Sequence, residues 1–389
     1  MNNTINLEDA HHVTLPNGLR AMLCYTPEAS ESFVSMAVRA GHFYDPDDCQ
    51  GLAHLLEHML FMGSRHLPKP NAINGFIEQH GGTINAWTGT EYANYHFNCS
   101  GDAIAQTLPA FADMLRQPLF EDEALTNEIK NIHAEFEFKK KDDLRRLYQI
   151  HKETCNPQHP FAKFSVGNSD TFSQHGCAAL KQRLKTLHQT YYCAKNMCLC
   201  IVSTMPLPQL EALVHQCFGS MPQGELAADD WPPLYTDNEL GIQINIHPLQ
   251  SAKRMIVTFA LPALQNDYKT KPLNYISHLI GDEGEGSLLA YLKEKDWALN
   301  LIAGSGIEGD NFKDFNVSFQ LSQNGLDNKD RVLEALFSYI SIIRDASHED
   351  WRFHEKSKLN TLALEYEENI KPLSLVTEYA QHQFIFGPD

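Results

Sequence analysis

The residues best suited to chemistry are two histidines and a glutamate in the run His54-Leu55-Leu56-Glu57-His58. Side chains four residues apart lie on the same face of an α-helix, so the His54 and His58 imidazoles can converge on one ion. Two neutral ring nitrogens and a carboxylate, with one position left open for water, suit a catalytic zinc ion. Glu57 then stands beside that ion. The competing interpretation is a helix face with solvated histidines.

A catalytic zinc ion needs a third protein ligand, which we expect to be a carboxylate or a histidine on another helix. Glu128 and Glu135 are seven residues apart, which is two helical turns, so they share one face of a predicted helix. Taken alone, they are ordinary surface acids. The other histidines considered share no spacing with a partner acid and are predicted to be surface or hydrogen-bonded side chains. These are His66, His80, His96 and His133.

The flanking sequence predicts the elements that position these side chains. Strand-like runs over 12–16 and 19–24 enclose an Asn-Gly turn, residues 32–38 alternate in polarity, and residues 51–62 have helical spacing with an apolar stripe. Further helices and strands are predicted from there to residue 218. The further predicted elements are helices over 72–80, 103–116, 121–151, 180–191 and 208–218, and strands over 83–87, 93–99 and 197–202.

A change of composition to proline, glycine and acid over residues 220–240 indicates a linker. Beyond it the order of the first part repeats, so the predicted fold class is α+β, with two tandem sheet-plus-helices domains. The repeated elements are strands at 242–246, 255–259, 299–303 and 315–321, and helices over 273–280, 287–295, 329–344 and 349–367. The predicted domains are 1–222 with the zinc site, a linker at 223–240, and 241–389.

The second copy lacks the chemistry of the first. No His-x-x-Glu-His run follows residue 240, and aligning residues 353–364 with the Glu128–Glu135 stretch puts Glu355 at the position of Glu128 and Leu362 at that of Glu135. We therefore predict that the second domain is metal-free and structural.

Charge and composition exclude several classes of partner. The 389 residues contain 31 lysines and arginines against 49 aspartates and glutamates, a net charge of −18, which repels nucleic acid and anionic membranes. No apolar run reaches the ~18 residues needed to span a bilayer. The nine cysteines are odd in number and form no Cys-x-x-Cys pair, which indicates reduced thiols in the cytoplasm. A disulfide framework, or a periplasmic location after loss of a signal peptide, is the weaker alternative.

The His54–His58 run, with Glu128 and Glu135 downstream, resembles the inverted zinc motif of the insulinase (pitrilysin) metallopeptidases, on the insulin-degrading enzyme-like branch. Surrounding segments match as well and extend the resemblance over nearly the whole chain. They are Asn17-Gly18-Leu19, Asp45-Pro46, and residues 51–63, 81–88, 160–164 and 281–289. The resemblance implies two domains of the mitochondrial-processing-peptidase-like (LuxS/MPP-like) fold, the second truncated.

The resemblance also implies roles for individual residues. His54, His58 and Glu135 bind one Zn²⁺ per chain, Glu57 is the general base, and Glu128 orients a histidine ligand. Asn85 and Ala86 lie on a strand that in relatives pairs with the substrate backbone. For Asn85, a plain strand or turn position is the alternative interpretation.

The resulting functional prediction is a zinc-dependent endopeptidase acting on peptides or unfolded segments. Family members enclose substrate with four such domains, so this chain is expected to need a C-terminal half, a partner chain or a homodimer, and to be weakly active alone. One alternative is a non-cleaving peptide-binding or scaffold subunit of a processing complex, against which the intact Glu57 argues. Another is a dedicated peptide-maturation protease.

Overall fold

The computed structural model describes residues 10–227, 230–250, 252–346, 350–366 and 371–387. They form two compact units, one from Met1–Asp230 together with Asn369–Asp389, the other from Trp231–Glu368. Both combine strands and helices, so the predicted α+β class is confirmed.

The first unit contains a six-stranded sheet in the order β1-β2-β6-β3-β5-β4. Its strands are β1 (His11–Thr14), β2 (Arg20–Tyr25), β3 (Glu31–Val38), β4 (Ile84–Thr88), β5 (Ala93–Ser100) and β6 (Met197–Ser203). Strand β6 is buried along its whole length and pairs parallel with β2, while the other pairings are antiparallel. Strand β4 is an edge strand of this sheet.

Helices of the first unit cover one face of this sheet and enclose its main apolar core. They are α1 (Leu52–Leu60), α2 (Ala72–Gln79), α3 (Ile104–Arg116), α4 (Asp122–Lys139), α5 (Asp143–Glu153), α6 (Ser169–Ser173), α7 (Gly176–Tyr191) and α8 (Leu207–Phe218). The single helix predicted over 121–151 is in fact two, because the Asp142 carboxylate accepts the Arg145 N–H at 2.9 Å and caps a new helix.

The second unit contains a smaller antiparallel sheet in the order β7-β9-β8. Its strands are β7 (Arg254–Leu261), β8 (Ala298–Glu308) and β9 (Lys313–Leu321), and its helices are α9 (Pro272–Ile280), α10 (Leu288–Glu294), α11 (Gln323–Asp327), α12 (Lys329–Asp345) and α13 (Asp350–Glu365). Predicted termini of the last helix at 349 and 367 lie outside the described residues.

Two segments differ from the sequence-based expectation. The strand predicted at 242–246 is wrong: those residues are exposed and pair with no strand in the described part of the chain. The final helix α14 (Pro372–Phe386) lies against the first unit's sheet, where Val376 and Ala380 pack with Cys24 and Cys200. The predicted second domain, 241–389, includes this helix, whereas the compact unit that contains it is the first.

Candidate metal centre

Helix α1 separates an apolar face from a face of functional side chains. Five apolar residues are at most 1% exposed and fix the helix against the core. They are Leu52, Leu55, Leu56, Met59 and Leu60. His54, Glu57 and His58 occupy the less buried positions between them. Burial of the apolar stripe therefore orients the two histidines toward α4.

The structure brings His54, His58 and Glu135 together. Glu135 Oε2 lies 3.7 Å from His54 Nε2 and 3.6 Å from His58 Nε2, and one ligand atom from each residue lies within 4.8 Å of the others. A tetrahedral ion bound to such ligands at 2.0–2.2 Å separates the ligand atoms by roughly 3.3–3.6 Å. The three side chains thus fit a zinc ion with little movement.

Hydrogen bonds fix the tautomers of both histidines. His54 Nδ1 lies 2.8 Å from the Val166 carbonyl oxygen, and His58 Nδ1 lies 2.9 Å from Glu128 Oε2. Both oxygens accept, so each Nδ1 carries the hydrogen and each Nε2 is left to face Glu135. An oxygen acceptor at the far nitrogen is the usual partner of a metal-binding histidine.

Glu128 is itself held in place. It is 6% exposed, and its second oxygen accepts the Asn131 side-chain N–H at 2.9 Å. Glu128 therefore stands where the sequence analysis expected an orienting carboxylate.

The Val166 contact was not foreseen, because any residue offers a carbonyl. The sequence signal that accompanies it is a pair of glycines. Gly51 has φ of +89°, and a Cβ on it would lie 2.4 Å from Gly167 Cα. This close backbone approach places the Val166 carbonyl next to His54.

Charge at the centre is concentrated on His58 and Glu135. Burial lowers the pKa of His58, but the carboxylates of Glu128, Glu135 and Glu57 outweigh it and raise the pKa to about 9. The close His58 imidazole is the largest cause that lowers the pKa of Glu135, to about 2. Burial lowers the pKa of His54. In the metal-free chain the Glu135 carboxylate therefore faces a positively charged His58, and its other oxygen pairs with Lys139.

Glu57 sits beside this group with one strong hydrogen bond. Thr88, the last residue of β4, donates its hydroxyl to Glu57 Oε2 at 2.5 Å. Burial raises the pKa of Glu57, although the Thr88 hydrogen bond acts in the opposite direction. The Thr88 contact was missed from the sequence, since nothing in the spacing links it to Glu57.

Asn85 and Ala86 lie on the same strand and are not part of the three-residue group. The Asn85 side-chain oxygen accepts the Ala86 N–H at 2.9 Å, and their backbones pair with β5 on one side. Both therefore belong to an edge strand whose end reaches Glu57.

The remaining histidine candidates have other contacts. His66 Nδ1 lies 2.8 Å from Asp113 Oδ1, His80 Nδ1 donates to the Phe76 carbonyl at 2.8 Å, and His96 Nδ1 lies 3.0 Å from Asn94 Oδ1. His133 Nδ1 accepts the Ser169 N–H at 3.5 Å.

Sequence comparison assigns both parts of the chain to one family. The family model described as Insulinase (Peptidase family M16) matches residues 20–162, and the one described as Peptidase M16 inactive domain matches residues 179–358. The chain belongs to the insulinase family, M16. Its second domain is of the inactive type within that family.

Curated members of the insulinase family align with almost the whole chain. Insulin-degrading enzyme of Drosophila melanogaster is 31% identical over 97% of the chain, and that of Homo sapiens is 32% identical over 94%. The chain spans 39% and 36% of those two proteins, so it corresponds to well under half of their length.

Solved structures of similar fold agree. The crystal structure of pitrilysin superimposes with a TM-score of 0.90 at 29% identity, covering 99% of this chain and 42% of that one. The first half of a periplasmic protease from Escherichia coli superimposes with a TM-score of 0.79 at 16% identity, covering 98% of this chain and 83% of that one, which shows a shared fold.

Two further observations bear on environment. None of the helices in the described ranges combines the length and apolar character needed to cross a membrane. The nine cysteines are free, and all except Cys177 are buried.

Proposed function

We propose that this chain carries the zinc-dependent active site of a metalloendopeptidase that hydrolyses peptides or unfolded polypeptide segments. The observation that supports this best is the convergence of His54, His58 and Glu135, with the Nε2 atoms of both histidines facing the Glu135 carboxylate. Glu128 fixes His58, and Val166 fixes His54. These residues would hold a single Zn²⁺ ion per chain.

When bound, zinc supplies Lewis acidity that polarises a peptide carbonyl and lowers the pKa of an attacking water toward ~7. The chain supplies the proton transfers. Glu57 accepts the proton of the attacking water and then passes a proton to the leaving amine. Thr88 holds one oxygen of Glu57, which leaves the other oxygen to face the water.

The substrate backbone is proposed to add to β4 at Asn85 and Ala86. An edge strand offers unpaired backbone groups, and adding an extended peptide to it recognises backbone shape more than side-chain identity. Because Thr88 at the end of β4 contacts Glu57, a peptide lying along β4 passes close to the proposed base.

We propose residues 1–222 as the catalytic domain, 223–240 as a linker and 241–389 as the metal-free second domain in chain order, with α14 at the end of that last range packed on the sheet of the first unit. Since the curated relatives are more than twice as long, we propose that efficient turnover needs additional protein from a longer form, a partner chain or a second copy. The free cysteines support a reducing compartment such as the cytoplasm.

Zinc content and peptide cleavage, measured on the same preparation, test the proposal. We expect about one zinc per chain, and cleavage of a quenched fluorescent peptide that a chelator abolishes and added zinc restores. Cleavage should be weak for this chain and should increase when a longer form or partner is supplied. Zinc binding without cleavage in any of these preparations would favour the non-cleaving subunit instead, and no zinc binding would reject the site.

A further inference from the structure

A cluster of buried titratable side chains, which the proposed mechanism does not use, lies near the start of α1. Lys152 of α5 is fully buried, and its Nζ lies 3.0 Å from His42 Nε2. The rings of Tyr148 and Phe161 lie 5.4 and 5.5 Å from the same ammonium group. Asp45, which is 2% exposed, lies three residues after His42, and its backbone N–H donates to the His42 carbonyl at 3.1 Å.

The hydrogen bonds of His42 show which group carries the proton. His42 Nδ1 lies 2.9 Å from the Gly89 carbonyl oxygen, so Nδ1–H is the donor there. Nε2 therefore accepts from Lys152. Burial and the nearby Lys152 charge lower the pKa of His42 well below its usual value, which agrees with a neutral ring.

Asp45 fixes the beginning of α1. Its two carboxylate oxygens accept the N–H groups of Gly51 and Ala53, each at 2.7 Å. These amides belong to the first turn, where helical N–H groups have no partner within the helix. Lys163 in turn donates to the Asp45 main-chain oxygen at 2.6 Å. Ala53 immediately precedes the proposed ligand His54.

His42 fixes the end of β4. Its backbone N–H also donates to the Gly89 carbonyl, at 3.0 Å, and the neighbouring Phe43 N–H donates to the Thr90 carbonyl at 2.9 Å. Gly89 directly follows Thr88, whose hydroxyl binds Glu57. The cluster thus contacts both structures that flank Glu57, namely the start of its own helix and the strand end that hydrogen-bonds it.

Stability alone does not call for a buried lysine here. A methionine of similar length would fill the same apolar space between the rings, and replacing buried charged groups by apolar groups of similar volume is often neutral or stabilising. A charged cluster does fix one arrangement of hydrogen bonds, since each partner must face the other.

We propose that Lys152, His42 and Asp45 are positioning residues, which hold the start of α1 and the end of β4 in one register and so set the geometry of the metal centre and of Glu57. The catalytic part of this inference rests on the proposed function, whereas the effect on metal geometry is measurable without activity.

The test uses the double variant Asp45→Asn/Lys152→Met, which removes both titratable groups together. Lys140→Met, which removes an exposed lysine paired with Glu137, is the control. Thermal unfolding, zinc affinity by chelator competition, and the visible spectrum of the Co²⁺-loaded chain are measured. We expect a folded chain with a lower unfolding temperature, because an amide at position 45 can accept only one of the two N–H groups that the Asp45 carboxylate accepts. Zinc affinity should be at least ~10-fold weaker, as for other orienting groups, and the Co²⁺ spectrum should shift. The control should match the parent in all three.

Parental zinc affinity and an unchanged Co²⁺ spectrum in the folded double variant would overturn the positioning role and leave the proposed function intact. A parent chain that binds no zinc would overturn both. If the double variant does not fold, His42→Asn replaces it, because asparagine keeps a donor near Gly89 but is too short to reach Lys152. The same weakened affinity and shifted spectrum are then expected, and parental values in that variant would reject the proposal.

Discussion

The two units contain comparable helix pairs with different chemistry. In the first, His58 of α1 lies 2.9 Å from Glu128 of α4, and in the second, His278 of α9 lies 3.8 Å from Glu355 of α13. The second unit has thus kept a histidine and the acid that contacts it. It lacks the other potential metal ligands and the acid that corresponds to Glu57.

Matching the two pairs and counting along each helix identifies the differences. The corresponding residues are His54 with Asn274, Glu57 with Ser277, and Glu135 with Leu362. Within the described residues, the group able to hold an ion is the one in the first unit. The comparison indicates that the fold and an orienting acid do not by themselves bring three potential metal ligands together, as the first unit does with His54, His58 and Glu135.

Removing His54 and His58 should have the largest effect on zinc binding and should separate the two units most clearly. We expect His54→Ala/His58→Ala to weaken zinc binding by more than ~1000-fold, because losing two ligands costs more than the ~10–100-fold that losing an orienting partner costs. Asn274→Ala/His278→Ala is the matched control and should bind like the parent. Chelator competition measures both. Equal losses in the two variants would end the distinction between the units.

Glu57→Gln should lower peptide turnover by ~100-fold or more while zinc content and unfolding temperature stay at parental values, because the amide cannot accept the water's proton. Ser277→Ala, at the matching position, should leave turnover unchanged. Peptide turnover of the variants and of the parent chain is measured under the same conditions, with the longer form or partner that makes the parent chain active. Full activity of Glu57→Gln would remove Glu57 from the mechanism.

Glu128→Gln should weaken zinc binding by ~10–100-fold, since the amide orients His58 less strongly than a carboxylate does. Glu355→Gln should have no effect on zinc, because among the described residues His278 belongs to no group of three potential metal ligands. Isothermal titration with a competing chelator separates the two. Unchanged affinity in Glu128→Gln would show that Glu128 is an ordinary surface acid.

Proton competition should give a smaller, graded effect. Because the pKa of His58 in the metal-free chain is about 9, His58 is protonated at pH 7 and zinc must displace that proton. Apparent zinc affinity should therefore rise by about tenfold per unit between pH 7 and 9 and level off above. A pH-independent affinity across this range would mean that His58 is already neutral or is not a ligand.

The side chains that share a helix face were predictable from the sequence, whereas helix ends and strand pairing were not. The 3.6-residue period of α1 and the seven-residue spacing on α4 were visible, because one helix face places its side chains together whatever surrounds it. The break before α5 depended on a single capping aspartate, Asp142. At 242–246 the sequence predicted a strand that is not formed. Polarity alternates there, but no strand among the described residues pairs with this segment.

Contacts made through backbone atoms could not be predicted from the sequence. The Val166 carbonyl beside His54 carries no side-chain signature, and its position follows from the close approach of Gly51 and Gly167. The packing of α14 on the first sheet was likewise missed, because it joins residues that are far apart in the chain.

Anomalous diffraction at the zinc edge from crystals of the zinc-loaded chain tests the central claim most directly. We expect one strong peak per chain, within 2.0–2.2 Å of His54 Nε2, His58 Nε2 and a Glu135 carboxylate oxygen, with no peak near His278 and Glu355. A strong peak elsewhere, or none between α1 and α4 at saturating zinc, would contradict it.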